Sequence, residues 1–365
     1  MTNHRNPFTP AFGSEPLFFI GRERIIDNIL GGLENGPGDP NRASILVGPR
    51  GSGKTVLLTK IAFEASQIGW IPVNVTAAPG MLDKIVEQIE FNGRDILPEK
   101  GKKHLTEIHA FGVGLRTEKI EIDKPSWRVQ VTRYIEFFAQ YDIGILITID
   151  EIDSKIEELV NLVADFQHFV REKREIALLM AGLPGKTLQM FQDDRISFIR
   201  RAFQYKLTAL SRADVKTVIR KTVESSERSI ENGALETASE YTKGFPFLVQ
   251  LVGYNIWRQS PNIKNISQDD VIHGIESSEE HMENMILDTT VSELSKNDLD
   301  FLIAMLPDKN ESNISDITKR LGCSANHASQ YRLRLIKQGV IEEYGRGKVQ
   351  FVIPLLKEYL AKNNS

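Results

Sequence analysis

Eight consecutive residues, Gly48-Pro49-Arg50-Gly51-Ser52-Gly53-Lys54-Thr55, restrict what this chain can fold into more than any other stretch. They stand between an apolar run at 43–47 and a helical period at 56–68. A buried strand that turns through glycines into a helix N-terminus points several backbone N–H groups at one spot, and the helix dipole adds positive potential there. The spacing G-x-x-x-x-G-K-[ST] then puts a lysine within reach of the β and γ oxygens of a polyphosphate and a hydroxyl where Mg²⁺ would sit. Lys54 and Thr55 fill those positions, and Gly48, Pro49, Arg50, Gly51, Ser52, Gly53 and Val56 are the expected walls of the phosphate cradle. An incidental glycine-rich turn is the competing reading, but it requires neither the strand before nor the helix after.

The flanking sequence agrees with a buried sheet. Short apolar, β-branched runs recur at 70–75, 143–149, 176–181 and 203–207, separated by helical periods such as 23–33, 128–141 and 155–173. Strands buried on both faces and alternating with helices predict an α/β fold with a parallel sheet. With 365 residues, 41% hydrophobic and 26% charged, the chain has the composition of a soluble globular protein of two or three domains. Its single cysteine, Cys323, excludes an internal disulfide or a cysteine zinc cluster, fits a reducing compartment and is expected as a small buried apolar residue. No apolar run approaches the roughly 18 residues of a membrane span, and the opening MTNHRNPFTPAFG has no secretory pattern, so a cytoplasmic location is expected.

A nucleotide site of this kind needs a carboxylate at the end of a neighbouring strand. The run 144–149 ends in Asp150-Glu151-Ile152-Asp153. Asp150 is the expected Mg²⁺ partner with Thr55, and Glu151 the expected general base, with Lys54, in catalysis. Asp153 reads as a helix cap or a solvated acid. His104 and His109 lack acidic or thiol neighbours in a metal spacing and read as loop residues.

With these residues in place, the chain resembles the AAA+ superfamily, in particular the branch of origin-recognition initiator ATPases and STAND signalling ATPases with their archaeal and bacterial relatives. Phe19-Ile20-Gly21-Arg22-Glu23, the phosphate loop, the apolar strand ending in Asp-Glu, and Lys243-Gly244-Phe245-Pro246 carry the resemblance over about 17–275. It implies ATP or ADP as ligand with Mg²⁺, Ile20 and Arg22 near the adenine, and a helical lid whose helix opens at Pro246. The acid-bearing strand should lie beside the phosphate-loop strand or one strand away. Two family features are missing. Gly182-Leu183-Pro184 stands where a polar sensor is expected, with Thr187 the nearest hydroxyl, and no arginine follows Pro246 in Phe247-Leu248-Val249-Gln250. Slow hydrolysis and a switch-like cycle follow. The family also supplies an arginine in trans; of Arg195, Arg200 and Arg201, the candidates kept are Arg200 and Arg201, since Arg201-Ala202-Phe203 is nearest its R-x-F pattern. Pairing with Asp193 and Asp194 is the alternative.

The expected organisation is an arm at 1–16, a core at 17–210 with a hairpin-like insertion at 99–127, a helical lid at 211–278, a linker at 279–291 and a C-terminal module at 292–365. Helices at 294–306, 314–321 and 324–337 followed by strands at 340–344 and 349–353 outline a winged helix-turn-helix. The whole chain carries 45 Lys and Arg against 49 Asp and Glu, so any DNA-binding surface must be local. Residues 317–348 hold seven basic residues against two acidic ones. Asn326, Gln330, Arg332, Arg334, Arg346 and Lys348 are the expected contacts to duplex DNA. The function expected is an ATP-binding, ATP-hydrolysing protein that couples nucleotide state to DNA binding, acting as a homo-oligomer or with a protein partner. Its alternative is a nucleotide-loaded switch with little hydrolysis whose winged helix makes protein contacts or inhibits the site.

Overall fold

Strands with no solvent-facing side need helices on both faces, and the chain supplies them in alternation. In the computed structural model, which describes residues 5–11, 13–99, 101, 102, 105 and 125–364, the α/β unit begins with α1 (Glu23–Glu34), β1 (Ala43–Val47), α2 (Lys54–Gln67), β2 (Trp70–Thr76) and α3 (Met81–Ile96). It continues through α4 (Trp127–Ala139), β3 (Gly144–Asp150), α5 (Glu157–Arg171), β4 (Ile176–Gly182), α6 (Pro184–Gln192) and β5 (Phe203–Lys206). All five strands are parallel, in the order β2-β3-β4-β1-β5. The acid-bearing β3 is therefore one strand from β1, with the fully buried β4 between them. Side chains alternate across the sheet. Ile45, Ile147 and Met180 pack with α3, α4 and α5, while Leu46, Leu146 and Leu179 pack with α1 and α2. The insertion expected within 99–127, with His104 and His109, lies largely outside the described residues.

After β5 come α7 (Arg212–Glu224), β6 (Ser229–Ile230), α8 (Asn232–Tyr241), α9 (Pro246–Gln259), β7 (Asn265–Ile266) and α10 (Gln268–Met282). Ser211 caps α7 by accepting the Asp214 N–H at 3.1 Å. The expectation of helices alone misses the small parallel β6–β7 pair that ties two lid loops together.

The stretch 279–291, expected as a linker, is helical. α10 runs through a π-helical turn (Glu283–Leu287) into α11 (Asp288–Ser292). Then follow α12 (Lys296–Met305), β8 (Glu311–Asn313), α13 (Ile314–Leu321), α14 (Ala325–Lys337), β9 (Ile341–Glu343), β10 (Lys348–Phe351) and α15 (Leu356–Asn363). The first helix starts at Lys296 rather than 294 because Ser295 and Asp298 form a capping box. Gly322 takes the left-handed conformation that ends α13, and Ser324 caps α14. Strands β8, β10 and β9 make a three-stranded antiparallel sheet, one strand more than the expected hairpin. Cys323 is only partly buried against this module. Phe8 of the arm, Leu248 and Val252 of the lid, and Phe301 and Leu356 of the C-terminal module belong to one continuous apolar cluster. Among the described residues no helix is long and apolar enough to cross a membrane, and no three His, Cys, Asp or Glu side chains group as metal ligands.

Candidate nucleotide site

The loop between β1 and α2 has the backbone that a phosphate cradle demands. Gly51 and Gly53 adopt φ of +74° and +87°, which L side chains seldom take. Gly51 has a second reason to lack a side chain, because a Cβ there would stand 2.6 Å from the Phe245 ring. Lys54 folds back into the loop, its Nζ donating to the carbonyls of Gly48 and Pro49 at 2.9 and 2.8 Å. Burial lowers its pKa, and the facing charges of Asp150 and Glu151 oppose that shift. Thr55 Oγ1 donates to Asp150 Oδ2 at 2.5 Å, and Asp150 Oδ1 accepts the Glu151 N–H at 2.9 Å. The structure thus brings Lys54, Thr55, Asp150 and Glu151 to one place from the start of α2 and the end of β3.

Glu151 itself is exposed and left-handed at φ +57°, an uncommon conformation for a residue with a long side chain. The buried Ile152 holds it there by donating its N–H to Ala181 O on β4 at 3.0 Å. Conformations of this kind cost about 1–3 kcal/mol and concentrate at functional sites. Asp153 turns away to Lys186 and caps the following turn through the Lys155 N–H. The hard oxygens of Thr55 and Asp150 are the donors Mg²⁺ prefers, and the loop amides and Lys54 suit a polyphosphate, so the residues present fit Mg·ATP.

A cavity of about 480 Å³ opens from this loop. Ile20, Arg22, Leu210 and Val218 line one side, with Pro246 and Phe247 of the lid. Arg22 is tied to the Thr208 carbonyl at 2.5 Å, and burial lowers its pKa. The lid turns at Lys243 and Gly244, with φ of +47° and +75°. A Cβ on Gly244 would lie 2.2 Å from the Leu210 carbonyl oxygen, so the chain passes there only as glycine. α9 then starts at Pro246, and Phe247 N–H donates to Gly51 O at 3.3 Å.

The end of β4 offers the cavity no polar group, and the lid helix offers no arginine. A Cβ on Gly182 would lie 2.4 Å from Ile152, and Thr187 is buried with its hydroxyl spent on Leu183 O at 3.1 Å. On α9, Gln250 lines the cavity and accepts the Thr9 N–H at 3.1 Å.

Two walls were not anticipated. Residues 5–11 and 13–16 of the arm pack on the fold: Phe8 is 2% exposed, Asn6 Nδ2 donates to Tyr254 O at 3.0 Å, and Thr9, Pro10, Ser14 and Pro16 reach the cavity. The other wall is C-terminal, formed by Met285, Ile286, Thr289, Thr290 and Glu293. Glu293 pairs with Arg50 of the phosphate loop at 3.1 Å. A Cβ on Gly339 would touch Pro49 at 3.7 Å, and one on Gly185 would stand 2.1 Å from the Lys337 Cα, so the end of α14 rests on α6 and the loop. Only the arm's Phe8 among its prolines hinted at either wall.

Arg195 holds Asp193 and Glu157. Arg200 donates to Phe191 O at 2.5 Å and lies 3.6 Å from Asp194, whereas Arg201 is exposed just before β5. In the C-terminal module, three expected DNA contacts are engaged internally. Arg334 Nε donates to both carboxylate oxygens of Asp298, at 2.7 and 2.8 Å, and Asp298 is 1% exposed. Arg332 lies 3.5 Å from Glu343, and Lys348 pairs with Glu311 at 3.2 Å. The basic excess at 317–348 is thus partly neutralised by acids outside that window. Asn326, Gln330 and Arg346 are exposed.

The family model described as "Domain of unknown function (DUF8462)" matches residues 284–360, which include the cavity-lining α11. No curated protein matches the sequence. Among solved structures, the Walker-type ATPase PABY2304 of Pyrococcus abyssi superposes with a TM-score of 0.68 at 16% identity, over 94% of this chain and 96% of that one. Cdc6p from Pyrobaculum aerophilum matches at 0.50 and 15% identity, over 97% of each chain. The Aeropyrum pernix ORC2 protein, solved in ADPNP–ADP complexes, matches at 0.50 and 13%, over 97% of this chain and 95% of that one. At the level of fold, the expected α/β architecture with a five-stranded parallel sheet holds.

Proposed function

We propose that the chain binds Mg·ATP in this cavity, hydrolyses it slowly, and uses nucleotide state to set the position of its C-terminal module. The observation that carries the reading is that the phosphate loop is itself a docking contact, through Arg50 with Glu293 and Pro49 against Gly339. A ligand drawn into the loop competes with or reshapes those contacts, which gives it the differential affinity a switch requires. Lys54 and the loop amides hold phosphate, and Thr55 and Asp150 hold Mg²⁺, which would neutralise charge on the phosphates. Glu151 orients water as general base. The filled sensor positions leave fewer groups to stabilise the reacting phosphate, hence the slow rate. Arg201, exposed and before β5, is the better candidate for an arginine offered to a neighbouring copy; Arg200 is half committed to its own backbone.

Lys54→Ala is expected to abolish ATP affinity with the fold intact. Single-turnover phosphate release from wild type and Glu151→Gln tests catalysis, and equal release would remove Glu151 from it.

Read as a winged helix, the C-terminal module would offer duplex DNA the N-terminal half of α14, with Asn326 and Gln330 toward base edges and Arg346 toward phosphate. With Arg332, Arg334 and Lys348 engaged, about one to two phosphate contacts remain, so a log–log salt slope near −1 to −2 is expected in place of a steep one. Arg346→Ala should flatten it. The same internal pairs favour a second reading, in which the module binds protein or restrains the site. Absence of salt-sensitive DNA binding by the ATP-loaded chain at low ionic strength would select it.

A further inference from the structure

The cavity's C-terminal wall carries one polar group that the fold leaves without a bond. Thr290 on α11 is 5% exposed and lines the cavity, yet its Oγ1 is buried with no hydrogen-bond partner among the described residues. Helical threonines commonly return their hydroxyl to the carbonyl four residues back. Thr217, Thr237 and Thr318 of this chain do so, at 2.8, 3.1 and 2.7 Å. For Thr290 that carbonyl belongs to Ile286, inside the π-helical turn Glu283–Leu287, and no bond forms. Turns of this type widen the helix and recur at functional sites. A buried hydroxyl left unpaired is unfavourable unless a ligand completes it.

Position along the cavity says which part of a nucleotide could do so. Thr290 and Glu293 are three residues apart on one helix and share a face. Glu293 meets Arg50 at the phosphate loop, and Thr290, three residues earlier, lies roughly 4.5 Å along the helix from that contact. The lining contributed by other elements includes the apolar Ile20, Leu210 and Val218, beside Arg22, and suits a base. The sugar falls between. Resting on the nucleotide-site reading above, we infer that Thr290 hydrogen-bonds a ribose hydroxyl of the bound nucleotide, making the C-terminal module part of the site and a determinant of its preference for ribonucleotides.

The test uses the full chain and equilibrium binding of ATP, 2′-deoxy-ATP and 3′-deoxy-ATP to wild type, Thr290→Val, Thr290→Ser and Lys54→Ala. Wild type should bind one of the deoxy nucleotides roughly fivefold more weakly than ATP, the size of one neutral hydrogen bond. Thr290→Val, which keeps the volume, should bind ATP as weakly as wild type binds that analogue and should no longer separate the two. Thr290→Ser should recover the discrimination. Equal binding of ATP by Thr290→Val and wild type would overturn the proposal, as would a loss shared equally by ATP and both deoxy analogues. Should Lys54→Ala bind ATP like wild type, the nucleotide-site reading falls and takes the proposal with it; loss of ATP by Lys54→Ala alone confines the failure to Thr290.

Discussion

Gly185→Ala should release the C-terminal module from the α/β unit without touching a cavity-lining residue. Gly185 stands in the first turn of α6, against the last residue of α14. An added Cβ would lie 2.1 Å from the Lys337 Cα, 2.3 Å from its Cβ and 2.5 Å from its carbonyl oxygen. Two of these three are backbone atoms, which no rotamer change can move. Ordinary carbon–carbon contact needs about 3.5 Å, so the two helices must part by roughly 1.4 Å. Overpacking of this kind costs about 1–3 kcal/mol. Alanine's better helix propensity returns about 0.5–1 kcal/mol, though it does so whether or not the module is docked. The gain therefore cancels between the two states, and the docked arrangement should lose the full 1–3 kcal/mol, roughly a five- to 140-fold shift in the docking equilibrium. Hydrogen exchange is the direct assay: amides of 183–190 and 330–340 should exchange faster by that factor, while β1 and β3 keep their protection. ATP affinity should change in the same preparation if docking and nucleotide binding are linked. Unchanged exchange at α6 and α14 would refute the steric reasoning. Loss of protection in β1 would show that the substitution damages the core rather than the interface.

Three further outcomes are expected. Arg334→Ala should destabilise the C-terminal module by about 2 kcal/mol, since it strips the partner from the buried Asp298 while solvent screens part of the loss; thermal unfolding of Asp298→Asn/Arg334→Ala should recover most of it, and a DNA-binding defect without a stability loss would return Arg334 to the role of a contact. Phe8→Ala should free the arm at a cost of about 3–5 kcal/mol of local packing and weaken ATP binding; protection of Asn6 and Thr9 from proteolysis equal to wild type would count against an anchored strap. The Arg320 guanidinium, bonded to both oxygens of Asp308 at 2.7 Å, holds that carboxyl below the usual aspartate range. Because the folded pKa is depressed, this stabilisation is complete above about pH 4 and is lost as pH falls through the lower folded value; urea midpoints of wild type and Asp308→Asn should converge under acid, and a gap that widens there would be the wrong sign.

The sequence by itself carries the chemistry written in contiguous residues. The loop from Gly48 to Thr55 declares itself because amides, lysine and hydroxyl must be adjacent in the chain to converge on one phosphate. β1, β3 and β4 show as apolar runs because both their faces are buried, whereas the edge strands β2 and β5 keep exposed polar positions such as Asn74, Gln204 and Lys206; β3 ends in Asp150 and Glu151, which adjoin it in the chain. Strand order was a narrower matter: the family resemblance allowed β3 beside β1 or one strand away, and packing inserted β4. The remainder of the site depends on residues that meet across the chain. Glu293 is an ordinary surface acid until folding sets it on Arg50, 243 residues earlier. Arg334 and Lys348 read as a basic surface because Asp298 and Glu311, which hold them, lie outside the helix and hairpin that carry them. Thr290 resembles any helical threonine until it follows a π-helical turn and the apolar core shared by arm, lid and C-terminal module closes it against the cavity. Local motifs name the groups that can meet a phosphate, and long-range packing alone decides which of the other charges and hydroxyls are left free to join them.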